Sequence, residues 1–192
     1  MSKFLNKKQL KKIGFFKIGK GCKISNKISC YNVNGSLGDN VRIDDYVCLK
    51  GRILLKSNIH IARGCTLSGG TKGIFIDNYT NLSNYVQIFS MSDDYFMPFI
   101  PGGALSNVNR KKFARIHNKK VFIGKAVLVG AFSVILPGSI INNFSSTAAY
   151  SVIYNTIKEG FYHSNLYKKI SLKRRNLKQM KMMYNKVLKV KK

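Results

Sequence analysis

The segment IGKAVLVGAFSVILPGSIINNFSSTAAYSV, residues 123–152, decides the fold. An aliphatic residue recurs every six positions, at Ile123, Val129, Ile135 and Ile141, with Gly124 and Gly130 directly after the first two. A period of six is neither helical nor a simple strand alternation. It suits a coil with three short flat sides, each pointing one aliphatic side chain inward to stack on its equivalent in the next coil. A coil then takes about 18 residues, and its backbone bonds to the coils above and below at about 4.8 Å.

The same count extends backward. From Leu37 the inward positions are Leu37, Ile43, Leu49, Leu55, Ile61 and Leu67, supported four residues later by Val41, Val47, Ile53 and Ile59. Thr71 to Phe75 adds three residues, as a corner bulge, and the repeats resume at Ile76, Leu82 and Ile88. Weaker repeats start at Ile18 and Ile24, and polar Tyr31 to Ser36 is expected to be a loop. Residues 94–120 have no six-residue pattern and hold Pro98, Pro101, Gly102 and Gly103, so they form a long excursion of the kind that usually carries function.

Three regions follow: an N-terminal helical cap at 1–17, a coil at 18–153 and a basic tail at 154–192. Ser2 to Lys12 is predicted to be a short basic helix with Leu5, Leu10 and Ile13 sharing a face. In the tail, Leu166, Ile170, Leu177, Met180, Tyr184 and Leu188 mark an amphipathic helix whose apolar stripe would pack across the last coil. It holds eleven Lys and Arg from Lys168 onward and no acid after Glu159, a basic face suited to a peripheral contact with anionic lipid.

Charge is lopsided: 34 Lys and Arg against 7 acids give +27. That balance invites nucleic acid or an anionic membrane as partner. The basic residues spread along the whole chain instead of clustering with aromatics into a stacking platform, which makes nucleic acid the weaker expectation. Cys22, Cys30, Cys48 and Cys65 form no CxxC pair and read as small core hydrophobes in a reducing cytoplasm, without a metal site. No apolar run reads as a signal peptide or a membrane span, so a cytoplasmic protein, at most peripheral to the membrane, is expected.

VGAFSVILPGS resembles the hexapeptide-repeat acyltransferases. The resemblance implies an all-β left-handed parallel β-helix, a homotrimer with active sites between subunits, and acetyl-CoA as co-substrate. RIDDYV, the IHIA segment around His60, LSGG and FSMSDDYF are similar to the sugar O-acetyltransferases of the galactoside type that act in surface-polysaccharide pathways. In that subgroup a histidine ends the rung before the long loop; here the slot holds Asp93.

The chemistry needs a groove for the pantetheine arm, donors for the developing oxyanion and a group to take the acceptor's proton. Gly130, Ala131 and Ser133 are small enough to let the thioester approach the backbone, or they merely fit tight corners. Lys168, Lys169 and Arg174 are candidates for the CoA phosphates on charge alone. Ser92, Asp93, Asp94 and Tyr95 are candidates for gripping the acceptor sugar, or form a capping turn at the edge of the loop. His60 and His117 are the candidate catalytic bases, and any His–Asp dyad must form in space. The expected reaction is transfer of acetyl to a saccharide hydroxyl. An alternative acceptor is the amino group of a nucleotide-linked sugar, since a free amine attacks a thioester without a strong base. A non-catalytic basic β-helix is the remaining alternative.

Overall fold

The computed structural model describes residues 3–95, 98–165 and 176–189. Its architecture is the three-sided coil. One side is a seven-stranded parallel sheet running Lys23–Ile24, Arg42–Ile43, His60–Ile61, Asn81–Leu82, Leu128–Val129, Ser146–Thr147 and Tyr162–His163. The other two sides join into one 11-stranded sheet. They join because the strands Ser29–Leu37 and Cys48–Leu55 pass from one side to the next without a break.

The six-residue count places the core. Ile43, Ile61, Leu82 and Val129 stack on the first side, Leu49, Leu67, Ile88, Ile135 and Ile153 on the second, and Leu37, Leu55, Ile76, Ile123 and Ile141 on the third; all are buried. Burying an aliphatic side chain of this size contributes about 1.5–3 kcal/mol, so the stacks dominate stability. The supporting position four residues on is inward too. Val41, Val47, Ile53 and Ile59 fill it early, whereas Thr80, Ser133, Ser139, Ser145 and Ser151 fill it later in the chain. Each of those buried hydroxyls donates to a carbonyl, as Thr80 does to Gly124 and Ser133 to Ala148, so the polar stack is satisfied.

Corners have their own rule. The residue three after an inward position turns the chain through the left-handed region, as at Asn40, Tyr46, Asn58, Tyr79, Tyr85, Ala126, Phe132, Phe144 and Tyr150. That conformation strains residues other than glycine, though asparagine tolerates it. Aromatics at one corner recover some of the cost by stacking. Tyr85, Phe132 and Tyr150 lie 5.0 and 5.1 Å apart in near-parallel planes.

Four sequence expectations change. Tyr31 to Ser36 is strand, not loop: Val33, Gly35 and Leu37 alternate inward, and glycine at 35 leaves room for the Ile53 carbonyl and the Phe15 ring. The excursion is not structureless. It leaves the coil along Met91–Asp93, contains the helix Asn107–Phe113 capped by the Ser106 side chain, and returns antiparallel along Ile116–Asn118. Strands continue beyond residue 153 to Thr156–Ile157 and Tyr162–His163, the corner after Ile153 being shortened. The cap helix starts at Lys7, where Asn6 and Gln9 form a reciprocal capping box, and it buries Leu10 on the open end of the core.

The tail helix spans Leu177–Lys189. It lies along a corner instead of over the last coil: the Tyr184 ring meets Tyr79 and Phe144 edge-on at 5.2 and 5.8 Å. Lys181 pairs with Glu159 at 3.1 Å. No helix among the described residues is long and apolar enough to cross a membrane.

The cysteines behave as packing residues. Burial pushes the Cys65 thiol up to about 11, and burial followed by the neighbouring Cys48 does the same for Cys30. Such thiols are poor nucleophiles. Among the described residues no His, Cys, Asp and Glu group could hold a metal ion.

Candidate active site

The ends of the excursion form the site. Met91–Asp93 pairs with Ile116–Asn118 so that Ser92 faces His117 and Asp93 faces Ile116. A corner of the coil buttresses this hairpin, since the Ser90 hydroxyl donates to the Gly69 carbonyl and the Asn118 amide to Thr71 Oγ1. Placing a hairpin on a rigid coil orients its side chains.

Asp94 is central to the local electrostatics. Its side chain is only 5% exposed, and its Oδ2 lies 3.2 Å from His117 Nε2 and 3.4 Å from Arg115 Nε. A nearly buried carboxylate that accepts from Nε2–H fixes the imidazole tautomer and leaves the Nδ1 lone pair to take a proton. His117 is itself 39% exposed at its side chain, so that nitrogen can be reached from outside. Asp93 takes a different position, half-buried, with Oδ2 accepting from the Gly102 N–H at 3.2 Å. The Ser92 hydroxyl donates to Tyr95 Oη at 2.8 Å, which holds Tyr95 over the hairpin. The structure therefore brings five sequence candidates together: Ser92, Asp93, Asp94, Tyr95 and His117.

His60 is not among them. It lies on the outer face of the first side, with Nε2 2.8 Å from Asp44 Oδ2, and Arg42 Nε donates to the other oxygen of Asp44 at 2.8 Å. Burial works to raise the Asp44 carboxyl, but hydrogen bonds from His60 and Arg42 outweigh it and hold it below its ordinary value. Because the folded value lies below the unfolded one, the contribution is complete above about pH 4 and is lost as pH falls through the folded value. Asp44→Asn is therefore expected to flatten the acid limb of a thermal-midpoint profile taken between about pH 3 and pH 6, with little change in turnover. An unchanged acid limb would contradict it.

Gly130 and Ser133 are engaged within the coil. Ser133 is buried, with its hydroxyl donating to the Ala148 carbonyl and accepting from the Ser151 N–H. Gly130 donates to Thr147 Oγ1 at 3.0 Å and lies hard against the next coil. The Ala131 carbonyl accepts from the Tyr150 N–H. Lys168, Lys169 and Arg174 lie outside the described residues. Arg115, which braces Asp94, and Gly102, which braces Asp93, were not among the sequence candidates. An antiparallel return of the excursion would have revealed Arg115, but nothing periodic in residues 94–120 announces one.

The fold and site together are a three-sided coil of hexapeptide repeats that carries an Asp–His pair on an inserted hairpin. No protein-family model matches the sequence. A curated dTDP-4-amino-4,6-dideoxy-D-glucose acyltransferase of Escherichia coli is 38% identical over 155 residues, covering 78% of each chain. An N-acyltransferase from Bacillus cereus, solved with dTDP and 3-hydroxybutyryl-CoA, is 29% identical with a TM-score of 0.85 over 100% of both chains. A mutant of that enzyme with dTDP-4-amino-4,6-dideoxyglucose and coenzyme A is 30% identical, with a TM-score of 0.82 over 97% of this chain and 100% of the other. The chain belongs to the hexapeptide-repeat acyltransferase family that includes the Escherichia coli enzyme. The kinship expected with galactoside O-acetyltransferases is corrected accordingly: these relatives act on or bind dTDP-linked compounds, and the Bacillus cereus enzyme is an N-acyltransferase.

Proposed function

We propose that the chain transfers an acyl group from acyl-CoA, acetyl-CoA in the simplest case, to the 4-amino group of dTDP-4-amino-4,6-dideoxyglucose. The observation that carries it is the hairpin, which offers His117 on a buried carboxylate beside the separate carboxylate Asp93. A sugar amine arrives largely as an ammonium ion, which Asp93 attracts. His117 Nδ1 takes one of its protons, the freed lone pair attacks the thioester carbonyl carbon, and the tetrahedral intermediate expels the thiolate. The amide nitrogen loses a second proton and the CoA sulfur gains one, so the products are an amide and CoA thiol.

The hydroxyl acceptor expected first from the sequence gives way to an amine. Asp93 in place of the rung-end histidine costs an amine acceptor little, because a neutral amine needs no strong base to attack. The similarity over 155 residues to the dTDP-4-amino-4,6-dideoxy-D-glucose acyltransferase supports the same choice. A homotrimer with the hairpin of one subunit facing a coil of the next is the assembly we propose for it, supported by the exposed edge of the Tyr85, Phe132 and Tyr150 stack.

Thiol release from acetyl-CoA is the test, with dTDP-4-amino-4,6-dideoxyglucose, dTDP-glucose and simple galactosides as acceptors. Release with the amino sugar alone is expected. Equal release with the amine-free acceptors would return the reaction to oxygen.

A further inference from the structure

The tail helix Leu177–Lys189 spends only part of its apolar surface on the coil. It lies on the corner that passes through Tyr79, Ala126, Phe144 and Gly160, each one coil after the last. The Leu177 side chain sits beside Gly160, and two turns later the Tyr184 ring meets Tyr79 and Phe144. Seven helical residues rise about 10.5 Å, the height of about two coil spacings, so the helix runs along the coil axis. The hairpin and the Tyr85, Phe132 and Tyr150 stack stand on the other two corners.

Leu177, Met180 and Tyr184 are half-buried and mark the side turned to the coil. Successive residues stand about 100° apart around a helix axis, which sets Met183 on one flank and Met182 on the far side. They are 56% and 49% exposed. Met183 and Val187, with Tyr79 and Ala126 across from them, wall an apolar groove of about 510 Å³. Around the helix, Gln179 and Lys186 stand between Met183 and Met182, and Lys178 and Lys189 stand beyond Met182. Roughly half the circumference therefore mixes exposed apolar side chains with cations. The helix has four lysines and no acid. Lys181 pairs with Glu159, whereas Lys178, Lys186 and Lys189 have no ion-pair partner among the described residues. The other acids of this corner, Asp39 and Asp77, are engaged with the N–H groups of Lys20 and Asn78. Like charges three apart on a helix repel, so this face is suited to an anionic partner.

We propose that the outer face of the tail helix docks the protein on a bilayer containing anionic phospholipid, with Lys178, Lys186 and Lys189 at the headgroups and Met182, Met183 and Val187 at the acyl boundary. A helix of low mean hydropathy with lysines beside apolar residues is the kind that lies in such an interface. Lysine stems follow apolar surface while their ammonium groups stay in water, so cations and methionines share one face without conflict. The mixture selects lipid over other anionic partners. A nucleic-acid backbone would satisfy the lysines but leave Met182, Met183 and Val187 in water, and Tyr184, the aromatic that could stack on a base, is turned to the coil. A partner helix laid in the groove would cover Met183 and Val187 but leave Met182 and Lys186 outside it. A flat surface reaches both. Docking at this corner leaves the hairpin on its own corner accessible to substrates.

Flotation of the full chain with vesicles tests it, using phosphatidylcholine alone and phosphatidylcholine with about one third phosphatidylglycerol, at low and physiological salt. The variants are the pair Lys178→Glu and Lys186→Glu, and the pair Met182→Gln and Met183→Gln. Lys8→Glu with Lys12→Glu on the cap helix is a control of equal charge change. All six positions are exposed, so thermal midpoints and turnover without vesicles should hold. The unmodified protein is expected to float with the anionic vesicles and not with phosphatidylcholine. Each lysine at such a surface is worth about fivefold in partition, so the tail lysine pair should weaken binding about 25-fold or more. The methionine pair should weaken it about threefold or more at either salt, and the cap pair by less than about twofold. The proposal is overturned if the protein does not float with anionic vesicles, if the cap pair weakens binding as much as the tail lysine pair, or if the methionine pair changes nothing. Duplex DNA held more tightly than the vesicles, or a change of oligomeric state in the methionine pair without vesicles, overturns it in favour of nucleic acid or a second copy. Thiol release is measured without vesicles, so failure here leaves the acceptor proposal standing.

Discussion

His117→Ala is expected to lower kcat on the amino-sugar acceptor by about 10²-fold near neutral pH, the lower end of what a positioned base contributes. Asp94 holds the imidazole at 3.2 Å, so its Nδ1 faces outward whenever the ring is neutral. Without it, the acceptor must shed its proton to water before or after attack. That deficit depends on pH: as the medium itself deprotonates the ammonium, the variant recovers toward the unmodified protein in alkaline buffer. Asp94→Asn tests the same pair through its support. It keeps the shape, replaces an acceptor by an amide and lets the ring turn, so kcat is expected to fall with little change in KM and with a displaced pH profile. His60→Ala is the internal comparison. Its imidazole is tied to Asp44 on another side of the coil, and turnover should stay within about twofold, the ordinary range for a surface change away from the chemistry. Turnover of His117→Ala within about threefold of the unmodified protein at neutral pH would remove His117 from the mechanism.

Where each prediction lies on the chain explains how much of the molecule could be read from residues alone. The coil was legible because its period is enforced by packing: Ile123, Val129, Ile135 and Ile141 must all point inward if any does. The fate of Ser133 was legible by the same rule, although it was read as a CoA contact. It stands four after Val129, where Val47 stands after Ile43, and so it is inside. The hairpin was not legible. Asp94 and His117 meet only because the chain turns back on itself between them, and no local pattern in residues 94–120 records that return. Acceptor chemistry was hardest, since SDDY lies on this excursion and its meaning depends on what the excursion brings beside it. The missing rung-end histidine, legible as Asp93, is the residue-level sign that supports the proposed amine acceptor.

Gly130→Ala is expected to destabilise the fold by about 2–4 kcal/mol, at or above the about 1–3 kcal/mol typical of overpacking, because only backbone atoms face the added methyl. A Cβ built on Gly130 stands 2.3 Å from the carbonyl carbon of Ala148 and 2.4 Å from both its oxygen and the Ala149 nitrogen. All three are backbone atoms, and none can swing aside. They are held by the coil ladder, in which the Leu128 N–H donates to Ser145 and the Tyr150 N–H to Ala131. One methyl therefore has to separate two coils and stretch the hydrogen bonds on either side of it. For a chain of this size each kcal/mol shifts the midpoint by about 2–4 °C, so a fall of roughly 4–16 °C is expected by calorimetry. The demand is for close approach alone, because position 130 does not lie in the left-handed region. Ala148, one coil on in the same register, already carries a methyl beneath the final strand, so Ala148→Gly should move the midpoint far less. The kinetics decide what glycine at 130 is for. If it only serves the coil, whatever Gly130→Ala folds retains the unmodified KM for acyl-CoA. A raised KM at an unchanged midpoint would instead mean that the pantetheine arm passes over this residue, and that its tight seat on Ala148 matters less than the clearance on its outer face.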